Sequence, residues 1–138
     1  MALGWVGNIE EKTLGNTTFR TVLFTGKHTQ LTVMHLPPGE EIGWEMHDHI
    51  DQFLRVEEGT AALTLGTTKK GADEAHQLKD DWAVIVPAGT WHNVVNTGTT
   101  ALKLYSLYSP AEHPDGTVHA TKADADADAD AAEAEHGH

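Results

Sequence analysis

The sequence predicts an all-β fold in a single domain. Its 138 residues are the usual length of one domain and are enough to bury a core. Apolar residues occur in short runs separated by turn formers, and no long segment repeats with the 3.6-residue period of an amphipathic helix. Many short strands at regular spacing are typical of a β-sandwich or a β-barrel.

Turn-forming residues separate the predicted strands. The first two strands flank Gly26-Lys27 as a hairpin, and Pro37-Pro38-Gly39 ends the second. A short helix is expected near residues 8–14. The predicted strands are residues 21–25, 30–36, 43–47, 52–57, 60–65, 82–86, 94–95 and 102–107.

We predict four parts of the chain, of which the last two are distinguished by composition. Residues 1–29 are expected to hold the N-terminal strands and residues 30–108 the core of a barrel. Residues 109–122 are polar after Ser109-Pro110 and predict an irregular C-terminal arm along the barrel. Residues 123–138 form an acidic tail of alternating Ala and Asp, in which like charges would surround a helix on all sides, so we predict a disordered tail.

Composition excludes several classes of function. The net charge is −12, and no basic cluster exists beyond Lys69-Lys70, which makes nucleic acid an unsuitable partner. The chain has no cysteine, so disulfides and thiolate metal sites are excluded. No apolar run of membrane-spanning length and no secretory signal are present, and we expect a cytoplasmic protein without a membrane partner.

The most informative motif is Pro87-Ala-Gly-Thr-Trp-His-Asn-Val-Val-Asn96. Pro87 has a fixed φ and Gly89 tolerates a positive φ, so a tight turn forms directly before a strand. That strand then presents His92 at a defined place. Asn96 is expected to have a structural role, as a hydrogen-bond partner of a turn.

A second polar motif lies upstream. Glu45 and His47 are two positions apart and therefore face the same side of a strand. Gln52 follows a four-residue turn, on the neighbouring strand. Closure of a barrel would bring His92 alongside these three side chains, so the sequence predicts a metal site with the ligands Glu45, His47, Gln52 and His92.

The donor set predicts the kind of metal and ligand. Mixed imidazole and oxygen donors suit a divalent transition metal, which could be Mn, Fe, Ni, Co or Zn. Four side chains leave one or two coordination positions open for a small-molecule ligand. With Glu45 as the one anionic ligand, a divalent site carries a charge of +1, which favours anionic or enolisable ligands.

These motifs resemble the two sequence motifs of the cupin superfamily. The first family motif is Gly-x5-His-x-His-x3-4-Glu-x6-Gly. Here Gly39, His47 and Gly59 match its spacing, while Glu45 replaces the first His and Gln52 replaces the Glu. A different register would pair His47 with His49, so His49 is an alternative ligand. The spacing to both glycines fits only the register with Glu45 and His47.

The second family motif is Gly-x5-Pro-x-Gly-x-x-His-x-x-x-Asn. Residues 87–96 match it, and Asp81 stands where the leading Gly is expected. Residues 109–119 also match the ending of small single-domain cupins that look like phosphomannose-isomerase-type cupins. The resemblance implies a single cupin barrel, which is a double-stranded β-helix or jelly roll. It also implies a homodimer paired through edge strands, with residues 19–24 as the candidate edge.

Three function classes stay open. The first is a metalloenzyme, an isomerase or decarboxylase, that acts on a hydroxy-carbonyl, carboxylate or sugar phosphate bound at an open coordination position. The second is a non-catalytic small-molecule or sugar-binding cupin, and the third is a metal-dependent dioxygenase.

The general base of such an enzyme is unknown, with His49 and Asp51 as candidates. Arg55 is expected to face away from the metal. The histidines expected at the surface are His113, His119, His136 and His138.

Overall fold

The computed structural model describes residues 3–135, and the side chains of residues 3–129. Strands dominate this part of the chain, which confirms the predicted all-β class. The elements are, in chain order, α1 (Ile9–Gly15), β1 (Arg20–Thr25), β2 (Gln30–Leu36), β3 (Asp51–Glu58), β4 (Ala61–Gly66), β5 (Glu74–Leu78), β6 (Ala83–Val86), β7 (Trp91–Asn96), β8 (Leu102–Ser109), β9 (Val118–His119) and α2 (Lys122–Glu135).

Two antiparallel sheets form the layers of the jelly roll. The larger sheet has the strand order β6-β3-β8-β2-β1-β9, and the smaller has the order β5-β4-β7. Apolar side chains from the inner faces of both sheets form one buried cluster, as two-layer domains require. It includes Met34, Leu54 and Leu104 from the larger sheet and Leu63 and Val94 from the smaller.

The sequence did not predict the strands β5 and β9. The side chains of β5 are exposed until Leu78, so this strand lacks the alternation of apolar and polar residues that identifies a half-buried strand. The strand β9 has only two residues. It pairs with β1 at Arg20 and Thr21, so β1 is not the open edge of the larger sheet that the sequence suggested.

The segment 43–47, predicted as a strand, is extended only in part. Isolated bridges join Glu41 to Val95 and Glu45 to His92, both on β7. Gly43 interrupts the segment with a φ of +114°, a conformation that other residues rarely adopt. This segment therefore lies along β7 without forming a regular strand.

The acidic tail differs from the predicted disorder over residues 122–135, which form α2. Alanine has the highest helix propensity, and Lys122 pairs with Asp126 one turn later at 3.0 Å. The hydroxyl of Thr121 accepts a hydrogen bond from the Asp124 amide at 3.2 Å. Ala125 is buried against the core, so the helix gains tertiary packing that the sequence pattern did not reveal. Residues 136–138 lie outside the described part of the chain.

The expected N-terminal helix is confirmed as α1, with Asn8 as its N-cap. The Asn8 side chain accepts a hydrogen bond from the Glu11 amide at 3.0 Å. Among the described residues, no helix is long and apolar enough to cross a membrane.

Candidate metal centre

Backbone pairing places Glu45 directly opposite His92. The Glu45 amide donates to the His92 carbonyl at 2.9 Å, and the His92 amide donates to the Glu45 carbonyl at 2.8 Å. Residues that exchange both backbone hydrogen bonds project their side chains from the same face. The two sequence motifs thus meet at one antiparallel bridge, which carries one candidate ligand from each.

The turn before β7 orients the imidazole of His92. Gly89 has a φ of +84°, as the sequence predicted, and its amide donates to the His47 carbonyl at 2.8 Å. The His92 Nδ1 lies 3.0 Å from the Thr90 carbonyl oxygen, which can only accept, so Nδ1 carries the proton. Burial lowers the pKa of His92 below its usual range, so the ring is neutral and its Nε2 lone pair is free.

A carboxylate from the C-terminal arm holds His47. The Glu112 Oε2 lies 2.8 Å from His47 Nδ1, and the Glu45 Oε1 lies 3.5 Å from His47 Nε2. Burial would lower the pKa of His47, but the carboxylates of Glu112 and Glu45 outweigh burial and raise it to about 9. A carboxylate on the outer ring nitrogen of a histidine is a recurrent partner of metal-bound imidazoles.

Three candidate ligands converge. The ligand atoms of Glu45, His47 and His92 all lie within 4.8 Å of one another. The Nε2 atoms of both histidines are buried and have no hydrogen-bond partner. Buried nitrogens without a partner are unfavourable unless something else binds them. The site therefore fits a divalent cation, which would bind the Glu45 carboxylate and both Nε2 atoms and would displace the Nε2 proton of His47.

The fourth predicted ligand, Gln52, is also buried with an unsatisfied atom. It is 3 % exposed on the inner face of β3, and its Oε1 has no hydrogen-bond partner. Its Nε2 donates to the Ser106 hydroxyl at 3.3 Å, which leaves the carbonyl oxygen free. The strand register places Gln52 beside Tyr108, whose ring meets the His47 ring edge-on with centroids 6.0 Å apart. An amide oxygen in this setting suits a metal ligand.

The other sequence candidates lie elsewhere. His49 is exposed, and it is not among the three residues whose ligand atoms converge. The Asp51 carboxylate accepts a hydrogen bond from the Ala88 amide at 2.8 Å and so holds the turn before β7. The role of either residue as a general base stays a prediction.

Two further residues were discussed from the sequence. Arg55 pairs with Glu57 and Asp81, and Asn96 donates to the carbonyls of Leu36 and Thr100.

Comparison with known proteins shows which family has this architecture. The cupin domain family matches residues 32–108, more than half of the chain. The chain belongs to the cupin family. The predicted double-stranded β-helix is therefore confirmed, together with the resemblance on which it depended. Asp81, where the family motif expects glycine, has a φ of +73°, the backbone conformation that favours glycine.

Several relatives of this cupin are similar over most of its length. The uncharacterized protein YrkC of Bacillus subtilis (strain 168) is 55% identical over 120 residues, and the match covers 87% of this chain. The chain spans only 64% of the length of that protein. The crystal structure of BH2720 from Bacillus halodurans is 52% identical with a TM-score of 0.88, over 89% of this chain and 93% of that one.

A more distant relative agrees with the resemblance to phosphomannose-isomerase-type cupins. The mannose-1-phosphate guanylyltransferase RfbM of Salmonella typhimurium (strain LT2) is 28% identical over 88 residues. The match covers 64% of this cupin but only 17% of that enzyme.

A cavity of about 300 Å³ lies beside the candidate metal ligands of this cupin. The C-terminal arm and α2 form one side of it, and β1 forms another. Its lining residues include Phe19, Arg20, Ile42, Glu45, His47, Glu112, His113, His119, Ala125 and Asp128.

The arm is fixed beside the cavity by Gln30. The Gln30 Oε1 accepts from the amides of Glu112 and His113 at 3.2 and 3.0 Å, and its Nε2 donates to the His113 carbonyl at 2.7 Å. Gln30 itself is fully buried. This contact spans more than eighty residues of sequence, so spacing alone could not reveal that Glu112 meets His47.

Two histidines predicted at the surface are instead part of this cavity. His119 is only 7 % exposed and donates through Nε2 to Asp128 of α2 at 2.9 Å. His113 lies edge-on to Tyr108 with ring centroids 5.3 Å apart. Burial, helped by the charge of Arg20, lowers the pKa of His113 to about 4, so its ring is neutral. The other two histidines, His136 and His138, lie outside the described residues.

Charges in the cavity are unevenly distributed. Burial would raise the pKa of Glu45, but His47, with smaller contributions from His92 and Arg20, lowers it below the usual range. Burial raises the pKa of Tyr108 to about 12, so its hydroxyl stays protonated. Glu45 is therefore an anion beside the protonated imidazole of His47, in a cavity that also contains the buried guanidinium of Arg20.

Proposed function

We propose that this protein is a metal-dependent enzyme that acts on a small, oxygen-rich substrate. The substrate classes are hydroxy-carbonyl compounds, carboxylates and sugar phosphates, which bind at an open coordination position beside the cavity. The observation that carries the proposal is the set of buried, unpartnered donor atoms on His47, His92 and Gln52, together with the carboxylate of Glu45.

The proposed ligands are Glu45, His47, Gln52 and His92. Two imidazoles, one carboxylate and one amide suit Mn, Fe, Ni, Co or Zn. The chemistry that such an ion supplies when bound is Lewis acidity toward a carbonyl or carboxylate oxygen. Four protein donors would leave coordination positions of such an ion open to the substrate.

The protein groups around the site would hold and orient the ligands. Glu112 accepts a hydrogen bond from Nδ1 of His47, so that Nε2 is the nitrogen that would bind the ion. The Thr90 carbonyl does the same for His92. Phe19 and Ile42 provide apolar parts of the cavity wall.

A substrate screen tests the proposal. The full-length protein would be loaded separately with Mn, Fe, Ni, Co and Zn and incubated in D2O with members of the three substrate classes. Proton NMR would report deuterium incorporation next to a carbonyl, as expected for an isomerase. Oxygen consumption and CO2 release would report a dioxygenase and a decarboxylase.

Turnover of any class with one metal would support the enzyme. If ligands change the spectrum of a bound metal but no product forms with any metal, the protein is a binding module and the enzyme proposal is wrong. His92→Ala is the matched variant, because any turnover that persists in it does not arise from this site.

We also propose a homodimer. The strand β6 is at one end of the larger sheet, and its Ile85 is 68 % exposed. An open strand edge with an exposed apolar side chain is a favourable place for another strand to pair. Light scattering coupled to size exclusion would give the mass, and a monomer at micromolar concentration would contradict this proposal.

A further inference from the structure

Arg20 is a buried cation in the wall of the cavity. It lies at the start of β1, opposite Met34 of β2, and is only 7 % exposed. Among the ion pairs formed by the described residues, none involves Arg20. The other arginine, Arg55, has two carboxylate partners, Glu57 and Asp81. The buried arginine is thus the one without a counter-ion.

No carboxylate of the described residues forms an ion pair with Arg20, although Glu45 and Glu112 line the same cavity and Arg20 contributes to the lowered pKa of Glu45. Its Nη1 donates to His119 Nδ1 at 3.2 Å, because a guanidinium can only donate and this nitrogen must therefore accept. The His119 Nε2 then donates to Asp128, which places that carboxylate on the far side of the imidazole. The guanidinium carbon of Arg20 lies 5.2 Å from the centre of the Phe19 ring.

The guanidinium still has unused hydrogen-bonding capacity. The Arg20 Nε is buried and has no hydrogen-bond partner. The His113 Nε2, in the same cavity wall, also has none. A buried charge without an ion-pair partner is unfavourable, and an anion in the cavity would complete the hydrogen bonds of this guanidinium. The planar guanidinium matches a carboxylate or a phosphate in particular.

We propose that Arg20 binds the carboxylate or phosphate group of the substrate, while other substrate oxygens reach the metal site lined by Glu45 and His47. This inference rests on the proposed function for the metal-directed end of the substrate. The cavity of about 300 Å³ is lined by Arg20 as well as by both ligands, and it limits the substrate to a small molecule. Arg20 would thus select anionic substrates over neutral ones of equal shape.

Calorimetric titration of matched ligand pairs tests this role. The full-length protein, loaded with Co²⁺, would be titrated with glycolate and glycolamide, and with glycerol 3-phosphate and glycerol. In the wild type we expect at least one anion to bind more tightly than its neutral partner. In Arg20→Met, which preserves the volume but removes the charge, that anion should bind roughly tenfold to a hundredfold more weakly, with the neutral ligand unchanged.

Arg55→Met is the matched control, and its ligand preferences should equal those of the wild type. A dependence on Arg20 for glycolate alone identifies a carboxylate, and a dependence for glycerol 3-phosphate alone identifies a phosphate. If the preference for both anions is the same with and without Arg20, or if the wild type prefers neither, the proposal is overturned.

Thermal unfolding separates this role from a structural one. A binding role predicts that the favoured anion raises the melting temperature of the wild type but not of Arg20→Met, and that Arg20→Lys gives an intermediate response. If Arg20→Met does not fold, the Arg20→Lys titrations decide the question, since the ammonium lacks the planar fork. Failure of the protein to bind Co²⁺ would contradict the proposed function only, because the same titrations on metal-free protein still report the contribution of Arg20.

Discussion

Glu112 Oε2 lies 2.8 Å from His47 Nδ1, and this contact joins the C-terminal arm to the candidate metal centre. The arm is fixed in turn by the buried side chain of Gln30 at the start of β2. The position of the His47 imidazole therefore depends on parts of the chain that are far apart in sequence. Its Nε2 is left buried without a hydrogen-bond partner, and a metal ion would bind there by displacing the proton.

Replacing Glu112 should weaken metal binding without removing it. Glu112→Gln removes the negative charge that orients His47 and increases its basicity, and we expect a loss of about 10-fold to 100-fold in metal affinity. Competition with a chromogenic chelator would measure this change. Glu58→Gln, a change at an exposed glutamate on β3, should leave the affinity unchanged. Equal affinities for both variants would show that Glu112 does not support the site.

The raised pKa of His47 predicts how the metal-free protein responds to pH. The pKa is about 9 in the folded protein against an ordinary value of 6.5, so the folded state binds the proton more tightly than the unfolded state. The resulting stabilisation is fully present below pH 6.5 and is lost as the pH rises through 9. The part of this stabilisation that comes from the Glu112 carboxylate should be absent in Glu112→Gln, while the part from Glu45 remains.

Urea denaturation at several pH values would measure this effect. The difference in unfolding free energy between metal-free wild type and Glu112→Gln should be largest below pH 6.5 and should decrease toward pH 9 and above. A difference that stays constant from pH 6 to pH 10 would contradict the assignment of the proton to His47.

The variant Gln52→Leu distinguishes a role of Gln52 as a metal ligand from a purely structural role. The Oε1 of Gln52 has no protein partner, and Nε2 makes one long hydrogen bond to Ser106. An apolar side chain of similar size should therefore change the stability of the metal-free protein by no more than about 1 kcal/mol. The affinity for metal should fall, because one donor is lost. Denaturation and chelator competition would measure the two quantities.

The opposite pattern would contradict the assignment of Gln52 as a ligand. A large loss of stability with unchanged metal affinity would mean that the amide has a structural role. Ser106→Ala is a useful control, since it removes the neighbouring hydroxyl and leaves the amide oxygen of Gln52 in place.

Alternation and motif spacing predicted the fold class and the meeting of Glu45, His47 and His92, whereas their ligation of a metal, with Gln52, stays a prediction. The strand β2 has the predicted limits, and the turn at Gly89 has the predicted positive φ. The spacing of Glu45, His47 and His92 was enough to expect three side chains that the structure brings together.

The remainder of the cavity depends on contacts that spacing does not encode. Glu112, His113 and His119 enter through the path of the arm, which β9 and Gln30 determine. None of the sequence motifs includes Arg20, so its position in the cavity could not be predicted. The sequence did not predict the helix α2. Repulsion between its aspartates is evident from the sequence, whereas the burial of Ala125 and the contact between His119 and Asp128 are not.

The most direct test of the central claim is the metal content of the full-length protein. Plasma mass spectrometry would compare the wild type, His92→Ala and the control His49→Ala, each with His136→Ala and His138→Ala to remove adventitious terminal ligands. We expect about one transition metal per chain in the wild type and in His49→Ala, and almost none in His92→Ala. A metal-free wild type after reconstitution, or equal metal content in His92→Ala, would contradict a metal centre at Glu45, His47, Gln52 and His92.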